Sequence, residues 1–392
     1  MSYTTYMAFL AFGKKSRTVA LIDITSSSIG GAYLALAHGK PPVILYTTRV
    51  PLEPHATEPL DEALPRTLEA LLHLMATEGA VALRASAGTG HPDEVFVSLT
   101  SPWQIGSVHS KVIEKDKPFI FTHQVLSAAS QSVENPPAGF TRMSDLVLAT
   151  MLNGYEIDSP IGKKVNRAEL FILSSSIQED VLALVRKAVR KAFHTAHVDF
   201  AAFMSEAYAG LADLYPHQRD FMLIDIGNET TDTILVKHGL LVNVSSIPHG
   251  VGEITRAARG VGVSSPVVPM EGPLAPGILD TRRNTSFASK IDESEAAWLA
   301  VLRETLAVQA SQEPLPRTVF LLAEESVRDF LRRLLDAPSL RTLWLTDEPL
   351  SAIPLTNQQF LSSVQAATGE SFPPSIALLA LAAQKRYDQQ GT

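Results

Sequence analysis

The sequence predicts an α/β protein built around two similar strand–turn–strand units. The first unit, residues 19–36, is an apolar strand that ends in Asp23 and an isoleucine, then a short polar turn and a second apolar strand. The second unit, residues 221–236, repeats this plan with Asp225 before its turn. Because strand-forming arms flank turn-forming residues in both units, each predicts a hairpin. Two hairpins of one plan indicate a duplicated unit that grips one ligand from both sides.

The polar residues of the second turn suit a phosphate and magnesium site. Asp225 stands at the end of the first strand, and Thr230 and Thr231 offer hydroxyl and backbone N–H groups. A tight turn of small residues with a carboxylate at a strand end cradles phosphate and holds hydrated Mg²⁺. An ordinary hairpin with a solvated Asn/Glu/Thr tip explains this stretch, taken alone, equally well.

The order of motifs along the chain resembles that of bacterial actin-like proteins of the FtsA and PilM type. Those proteins carry a first phosphate hairpin near the N-terminus and a second one, of the form DIGGGTTD, in mid-chain. Residues 245–256 (SSIPHGVGEITR) look like the Ile-Pro-x-Gly-Gly stretch that follows the second hairpin. Residues 204–212 (MSEAYAGLA) resemble the connecting helix before it, and the match is best over residues 155–256.

The resemblance implies an actin-like, ribonuclease-H-like fold, with two α/β lobes facing each other across a cleft and a small inserted α+β subdomain. In the family this insertion is an interaction module and not a catalytic one. Within it, residues 107–121 predict a polar hairpin, and residues 176–196, which follow it, predict a helix. Residues 260–288, rich in Gly, Pro and Ser, are expected to form a mobile loop or a reduced subdomain of the second lobe. The expected divisions are 1–100 and 165–220 for the first lobe, 101–164 for the insertion, 221–373 for the second lobe, and 374–392 for a C-terminal helix packing on the first lobe.

The resemblance also implies the residues of an ATP site. Asp23 and Asp225 match the two strand-end aspartates that hold magnesium through water. Glu206, on the connecting helix, matches the catalytic residue that orients the attacking water; a surface charge near a helix N-terminus is the alternative role. The positions expected to bind the nucleotide are Thr25, Ser26, Ser27, Gly227, Asn228, Thr230, Thr231, Gly250, Gly252 and Ala323.

Three departures from the family pattern weigh against efficient ATP chemistry. In the first turn a threonine replaces glycine, at a cost of about 1–2 kcal/mol if that turn needs φ > 0. In the second turn Asn-Glu replaces Gly-Gly, and a like charge ~4 Å from a phosphate costs about 4 kcal/mol at an effective dielectric of 20. At the adenosine position, Ala-Glu-Glu replaces bare glycine backbone. The residues that make Mg and ATP binding doubtful are Thr25, Asn228, Glu229, Ala323, Glu324 and Glu325.

Length, charge and cysteine content narrow the functional class. A chain of 392 residues is long enough for two or three domains. A formal net charge of −8 argues against nucleic acid as the main partner. The absence of cysteine excludes disulfides and thiolate metal sites, and it suits a reducing compartment. No apolar run reaches the ~18 residues that a membrane-spanning helix needs.

The resemblance implies a cytoplasmic scaffold or adaptor that binds membrane-associated division or type IV pilus proteins at the inner membrane. Residues 375–383 are apolar all round and abut the fold, which predicts a packed helix and not a membrane anchor. Recruitment through a partner, as in PilM, is therefore expected, without direct membrane insertion; self-association is a further expectation. The alternative is a working Mg-ATP-binding ATPase that polymerises or switches with nucleotide. A sugar or acetate kinase is disfavoured, because no acceptor site is recognisable.

Overall fold

The computed structural model describes residues 16–54, 58–194, 197–259, 285–335, 337–344, 350–367, 369 and 371–390. For residues 257–259, 285–291 and 326 only the backbone is described. The loop or subdomain predicted at residues 260–288 therefore lies mostly outside the described residues, which resume in a helix at Thr285. The described residues form three β-sheets, of six, five and four strands.

The six-stranded sheet contains the first predicted hairpin. Its strands are β1 (Arg17–Ile24), β2 (Ser28–Leu36), β3 (Val43–Pro51), β4 (Glu94–Leu99), β9 (Val198–Ala202) and β15 (Gln365–Ala366), in the spatial order β15-β3-β2-β1-β4-β9. Strands β1 to β3 form an antiparallel meander, and β4 runs parallel to β1. Nearly every residue of β1 and β2 is buried, as expected for central strands covered on both faces.

The five-stranded sheet repeats this plan. Its strands are β10 (Phe221–Ile226), β11 (Thr231–Lys237), β12 (Leu240–Ile247), β13 (Thr318–Ala323) and β14 (Ser351–Pro354), in the order β12-β11-β10-β13-β14. Again an antiparallel meander is followed by parallel strands on the other side of its first strand. The second predicted hairpin and the predicted duplication of the unit are thus confirmed.

The four-stranded antiparallel sheet forms the inserted part. Its strands are β5 (Gln104–Ile120), β6 (Phe140–Leu152), β7 (Tyr155–Glu156) and β8 (Lys164–Gln178), in the order β5-β8-β6-β7. The sequence predicts a polar hairpin at residues 107–121, and this is wrong: β5 is one strand whose register shifts between Glu114 and Phe119. A bulge absorbs the polar residues there without reversing the chain. Strand β8 of this sheet begins at Lys164, where the insertion is expected to end, and extends to Gln178. The division of the chain into segments stays a prediction.

Helices cover the sheets on their outer faces and join them inside. They are α1 (Leu60–Leu74), continued by a π-turn and α2 (Ala80–Ala87), α3 (His123–Gln131), α4 (Glu179–Phe193), α5 (Phe203–Leu214), α6 (Val251–Arg259), α7 (Thr285–Gln312), α8 (Glu325–Leu335), α9 (Pro338–Arg341) and α10 (Pro374–Gln390). The helix predicted at residues 176–196 begins at Glu179, because β8 continues through Gln178. Among the described helices, none has the length and apolar content that a bilayer crossing requires.

One hydrophobic cluster joins the two lobes. It contains Leu21 of β1, Leu223 of β10, Leu211 of α5 and Leu378 of α10, all fully buried. Helices α5 and α10 approach closely at Gly210, where an added Cβ would lie 3.1 Å from Leu378. The core therefore continues beneath the cleft, and the ends of the two hairpins meet above it.

Candidate functional site

The two predicted aspartates occupy equivalent places in their sheets. Each is the penultimate residue of the first strand of its meander. Asp23 pairs with Gly30 across the first hairpin, and Asp225 pairs with Asp232 across the second. Asp23 is fully buried, whereas Asp225 is partly exposed. The structure thus brings the two hairpin ends into one site.

The turns of the two hairpins bond directly to each other. The backbone N–H of Asn228 donates to Ser27 Oγ at 2.9 Å, and that of Glu229 donates to Ser26 Oγ at 3.2 Å. These are the hydroxyls and amides expected to surround a phosphate. Because each of these groups is a partner of the other, these hydroxyls and amides are not free to bind a phosphate in this arrangement.

A second pair of bonds joins the lobes behind the turns. Thr230 Oγ1 donates to the carbonyl oxygen of Ser101 at 3.1 Å, and the Ser101 N–H donates to Asp232 Oδ2 at 3.3 Å. All three residues are buried. Burial raises the pKa of Asp232, and hydrogen bonds from Ser246 and Ser101 oppose that rise. Strand β11 is therefore tied to the end of β4 across the cleft.

An arginine that the sequence analysis did not single out lies against Asp23. Arg49 of β3 is opposite Gly30 of β2, which is opposite Asp23 of β1, so the three residues form one row across the sheet. Its guanidinium donates to Asp23 Oδ2 at 2.5 Å, Ser28 Oγ at 2.7 Å and, from α10, Ser375 Oγ at 3.1 Å. It passes over Gly30, where an added Cβ would lie only 2.7 Å from it.

The same guanidinium acts on carboxylates of the second lobe. Burial, then Asp232, then Asp23 raise the pKa of Asp225 well above the usual range of an aspartate, and Arg49 opposes that rise. Burial likewise raises the pKa of Glu324, and Arg49 is again the opposing charge. The Arg49 charge thus pairs with Asp23 in the first lobe and opposes the rise in the pKa values of Asp225 and Glu324 in the second.

The N-terminus of α6 is occupied by the second turn. The N–H of Val251 donates to the carbonyl oxygen of Gly227 at 3.0 Å, and that of Gly252 donates to the carbonyl oxygen of Asn228 at 2.8 Å. The approach is so close that an added Cβ at Gly250 would lie 2.4 Å from both carbonyl oxygens. Free N–H groups at a helix N-terminus attract anions, and here the protein's own backbone uses them.

Two of the departures from the family pattern have local explanations. Thr25 Oγ1 donates to the Ser28 carbonyl oxygen at 2.9 Å and accepts from the Ser28 N–H at 3.1 Å, which closes the first turn. Glu229 makes a two-pronged ion pair with Arg256 of α6, at 2.5 and 3.1 Å. The strain considered for Thr25 does not arise, because the described non-glycine residues with positive φ are Asn153, His194 and His238.

Glu206 lies apart from the described contacts of the turns. It is buried in the first turn of α5 and forms an ion pair with Arg386 of α10. The Arg386 guanidinium lies 4.6 Å from the centre of the Phe96 ring. Burial raises the pKa of Glu206, and Arg386 opposes that rise. The contacts thus give Glu206 a place in the packing of α5 on α10, and its catalytic role stays a prediction.

The remaining predicted residues frame the second hairpin. Ala323 ends β13 beside Ile226, and Thr231 Oγ1 donates to the His249 carbonyl oxygen at 2.8 Å. The Glu325 side chain is 92% exposed, whereas its neighbour Glu324 is half-buried. The adenosine position therefore keeps one half-buried carboxyl group.

In this arrangement the residues do not fit Mg-ATP. A phosphate between the turns would have to replace the bonds of Asn228 and Glu229 to the two serines. A metal ion at Asp23 would meet the guanidinium already bonded to Oδ2. The other oxygen, Oδ1, is buried without a hydrogen-bond partner, but one oxygen is not a coordination shell. Within the described ranges no three His, Asp or Glu side chains are placed to hold a metal ion.

The sequence carried one signal for the missed arginine. Gly30 and Gly31 stand inside a strand, where glycine often marks a close approach of other groups. Which group approaches Gly30 depends on the pairing of β2 with β3. That register includes an irregularity between Tyr33 and Leu34, which no local pattern specifies.

Comparison with solved structures shows the fold. A chain of the PilM–PilN type IV pilus biogenesis complex matches with a TM-score of 0.59 and 16% identity, over 96% of this chain and 99% of that one. A Bacteroides thetaiotaomicron protein with an actin-like ATPase fold and unknown function matches with a TM-score of 0.40 and 9% identity, over 95% and 98%. The Clostridium difficile activator of 2-hydroxyisocaproyl-CoA dehydratase, with bound ADPNP, matches with a TM-score of 0.36 and 11% identity, over 96% and 97%.

No protein-family model matches the chain, and neither does any curated protein sequence. The similarity to the chain of the PilM–PilN complex shows the fold and confirms the predicted actin-like fold class.

Proposed function

We propose that the protein is an actin-like scaffold or adaptor of type IV pilus-type or division-type envelope assembly. It acts in the cytoplasm, is recruited to the inner membrane by binding membrane-associated partner proteins, and does not depend on ATP. The observation that carries this proposal is the direct bonding of the two hairpin turns through Ser26 and Ser27. A cleft closed by its own residues keeps the lobes fixed relative to each other without nucleotide.

The similarity to a chain of the PilM–PilN complex favours a pilus role over a division role. It extends over nearly the whole of both chains, so the inserted sheet is included. That complex is an assembly of type IV pilus biogenesis. A protein partner of the same kind is therefore the first one to test.

The inserted sheet has the surface expected of an interaction module. Exposed large apolar side chains are more frequent in this part than in the rest of the described chain, and an apolar patch is the usual mark of a binding surface. Of the eight in the described chain, five lie between residues 101 and 164: Val112, Ile120, Leu146, Tyr155 and Ile161. We propose that the partner docks on this sheet.

Calorimetry tests the nucleotide part of the proposal. Purified full-length protein is titrated with ATP to millimolar concentration, with and without Mg²⁺, and no heat of binding is expected. Micromolar binding would contradict this part and would establish the cleft as a nucleotide switch.

A peptide titration tests the partner part. The cytoplasmic segments of the inner-membrane pilus and division proteins of the source bacterium are synthesised and titrated into the protein. Tyr155→Ser should lower the affinity for the peptide that binds by at least about tenfold if this exposed ring is an anchor. Val81→Ser, at a position of similar exposure in the first lobe (63% against 75%), is the matched control. Binding by no segment, or an equal loss in both variants, would refute docking on the inserted sheet.

One observation favours the alternative of a Mg-ATP-binding ATPase that polymerises or switches with nucleotide. Asp23 Oδ1 is a buried acceptor without a partner, at the position matched to a magnesium ligand. Nucleotide would then have to open the bonds between the turns and displace Arg49. In that case Asp225→Ala should abolish Mg-dependent binding in the same calorimeter.

A further inference from the structure

We propose that Arg49 is a built-in cation of the cleft, which takes the place that a bound metal ion has in a nucleotide site and keeps the two lobes together. The inference rests on the nucleotide-independent part of the proposed function. It goes further by naming the group that makes a nucleotide unnecessary.

The first step concerns charge. The Asp23 side chain is fully buried in the first lobe. A buried carboxylate is costly unless a cation pairs with it. Arg49 is the ion-pair partner of Asp23, and the turn that follows Asp23 carries the hydroxyls that accept hydrogen bonds from the second lobe.

The second step concerns construction. The Arg49 guanidinium is half-buried and fixed by three hydrogen bonds, to Asp23, Ser28 and Ser375. The missing side chain at Gly30 provides the path from β3 to β1. An arginine exposed on the surface requires neither a glycine beneath its side chain nor three fixed hydrogen-bond acceptors, and Arg49 has both. Strand β3, strand β1 and helix α10 are thus joined at one charged group.

The third step connects the cation to the closed cleft. The hydroxyls of Ser26 and Ser27, which accept the N–H groups of Asn228 and Glu229, follow Asp23 by three and four residues. If Arg49 is removed, the buried Asp23 loses its ion-pair partner and Ser28, on the other side of the turn, loses a donor. The hairpin ends should then separate, and the two amides should lose their acceptors.

Replacement of the cation tests the proposal. Arg49→Ala should lower the thermal midpoint by about 5–10 °C, as expected when one partner of a buried ion pair is removed. Added methylguanidinium chloride, at ~10–50 mM, should raise the midpoint of Arg49→Ala and leave the wild-type midpoint unchanged. MgCl₂ should also stabilise this variant, since the proposal makes a metal ion the equivalent of the lost charge. NaCl at matched ionic strength is the control for screening.

A double variant shows whether the effect belongs to the carboxylate. In Asp23→Asn/Arg49→Ala the unpaired negative charge is gone, so neither cation should stabilise the protein. Stabilisation of Arg49→Ala by either cation, absent in the double variant, supports the proposal. Stabilisation by neither cation, or equal stabilisation of the single and the double variant by the cation that acts, overturns it.

Hydrogen exchange measures cleft closure separately from global stability. The amides of Asn228 and Glu229 should exchange at least about tenfold faster in Arg49→Lys than in the wild type. Lysine keeps the charge but lacks the planar guanidinium, whose N–H groups donate to several acceptors at once. This variant retains a cation and is the one to use if Arg49→Ala does not fold. Unchanged protection in Arg49→Lys contradicts a role in closure. ATP binding by the wild type would refute the proposed function, while the cation titrations judge Arg49 itself.

Discussion

Glu206 shows how packing can hold a charge that the family pattern would place beside water. Its carboxylate is buried between α5 and α10, with Arg386 as its partner. Removing one charge of a buried ion pair strongly destabilises a protein. A neutral isostere such as glutamine, however, also removes the cost of desolvating the anion. Burial outweighs Arg386 and raises the pKa of Glu206, so ionisation of this group is less favourable in the folded protein than in the unfolded chain.

The stability of Glu206→Gln should therefore depend on pH relative to the wild type. The folded-state pKa lies above the ordinary value of 4.5, so ionisation destabilises the wild type as pH rises from that value through the folded pKa. Glutamine does not titrate. The midpoint of the variant minus that of the wild type should increase by about 2–4 °C between pH 4 and pH 7 in thermal melts. A difference that decreases over this range would contradict the direction of the shift.

At the scale of elements, α6 depends on the turn on which it begins. Its first N–H groups bond to the carbonyl oxygens of Gly227 and Asn228, and the approach leaves no room for a side chain at Gly250. The Ile-Pro-x-Gly stretch recognised in the sequence is thus a packing requirement. It holds whether or not a nucleotide binds.

Gly250→Ala should cost about 1–3 kcal/mol of the free energy of unfolding, because its Cβ would meet fixed backbone. Urea unfolding measures this loss. Gly106→Ala is the matched control, since its nearest contact is the flexible Gln104 side chain at 3.3 Å. Equal midpoints for the two variants would show that the turn and α6 adjust easily.

The sequence predicts most of the elements and less of the site, for a physical reason. Strands such as β1 and β10, and turns between apolar arms, are local patterns that a single sequence displays. The row Asp23–Gly30–Arg49 depends on the register of three strands, and Ser101 meets Thr230 only because the lobes close. The polar residues of β5 predict a hairpin wrongly, because a bulge interrupts the alternation of apolar and polar residues in the same way as a turn does.

At the scale of the whole molecule, α10 packs on the first lobe, and its apolar residues belong to the hydrophobic cluster that also includes residues of the second lobe. It contacts α5, β1 and β2, and its Ser375 hydroxyl accepts a hydrogen bond from the Arg49 guanidinium. The side chains of residues 376–380 are fully buried. A helix that is apolar all round is explained by this burial and does not need a bilayer.

Liposome flotation tests that conclusion. The full-length protein should stay in the dense fraction with vesicles of phosphatidylethanolamine and phosphatidylglycerol, because the apolar residues of α10 are not available to lipid. It should float only with vesicles that display the partner segment found by peptide titration. Flotation with lipid alone would show that α10, or another part of the chain, leaves the fold to bind membrane.

The guanidinium among the cleft carboxylates has a consequence for timing. A nucleotide can be hydrolysed, exchanged or depleted. Closure of a cleft that needs one therefore depends on the ATP concentration in the cell, and its duration depends on the rate of hydrolysis. A side chain is present at the same effective concentration for the life of the molecule. A scaffold closed by Arg49 would persist through starvation, and its disassembly would have to come from loss of its partner or from degradation.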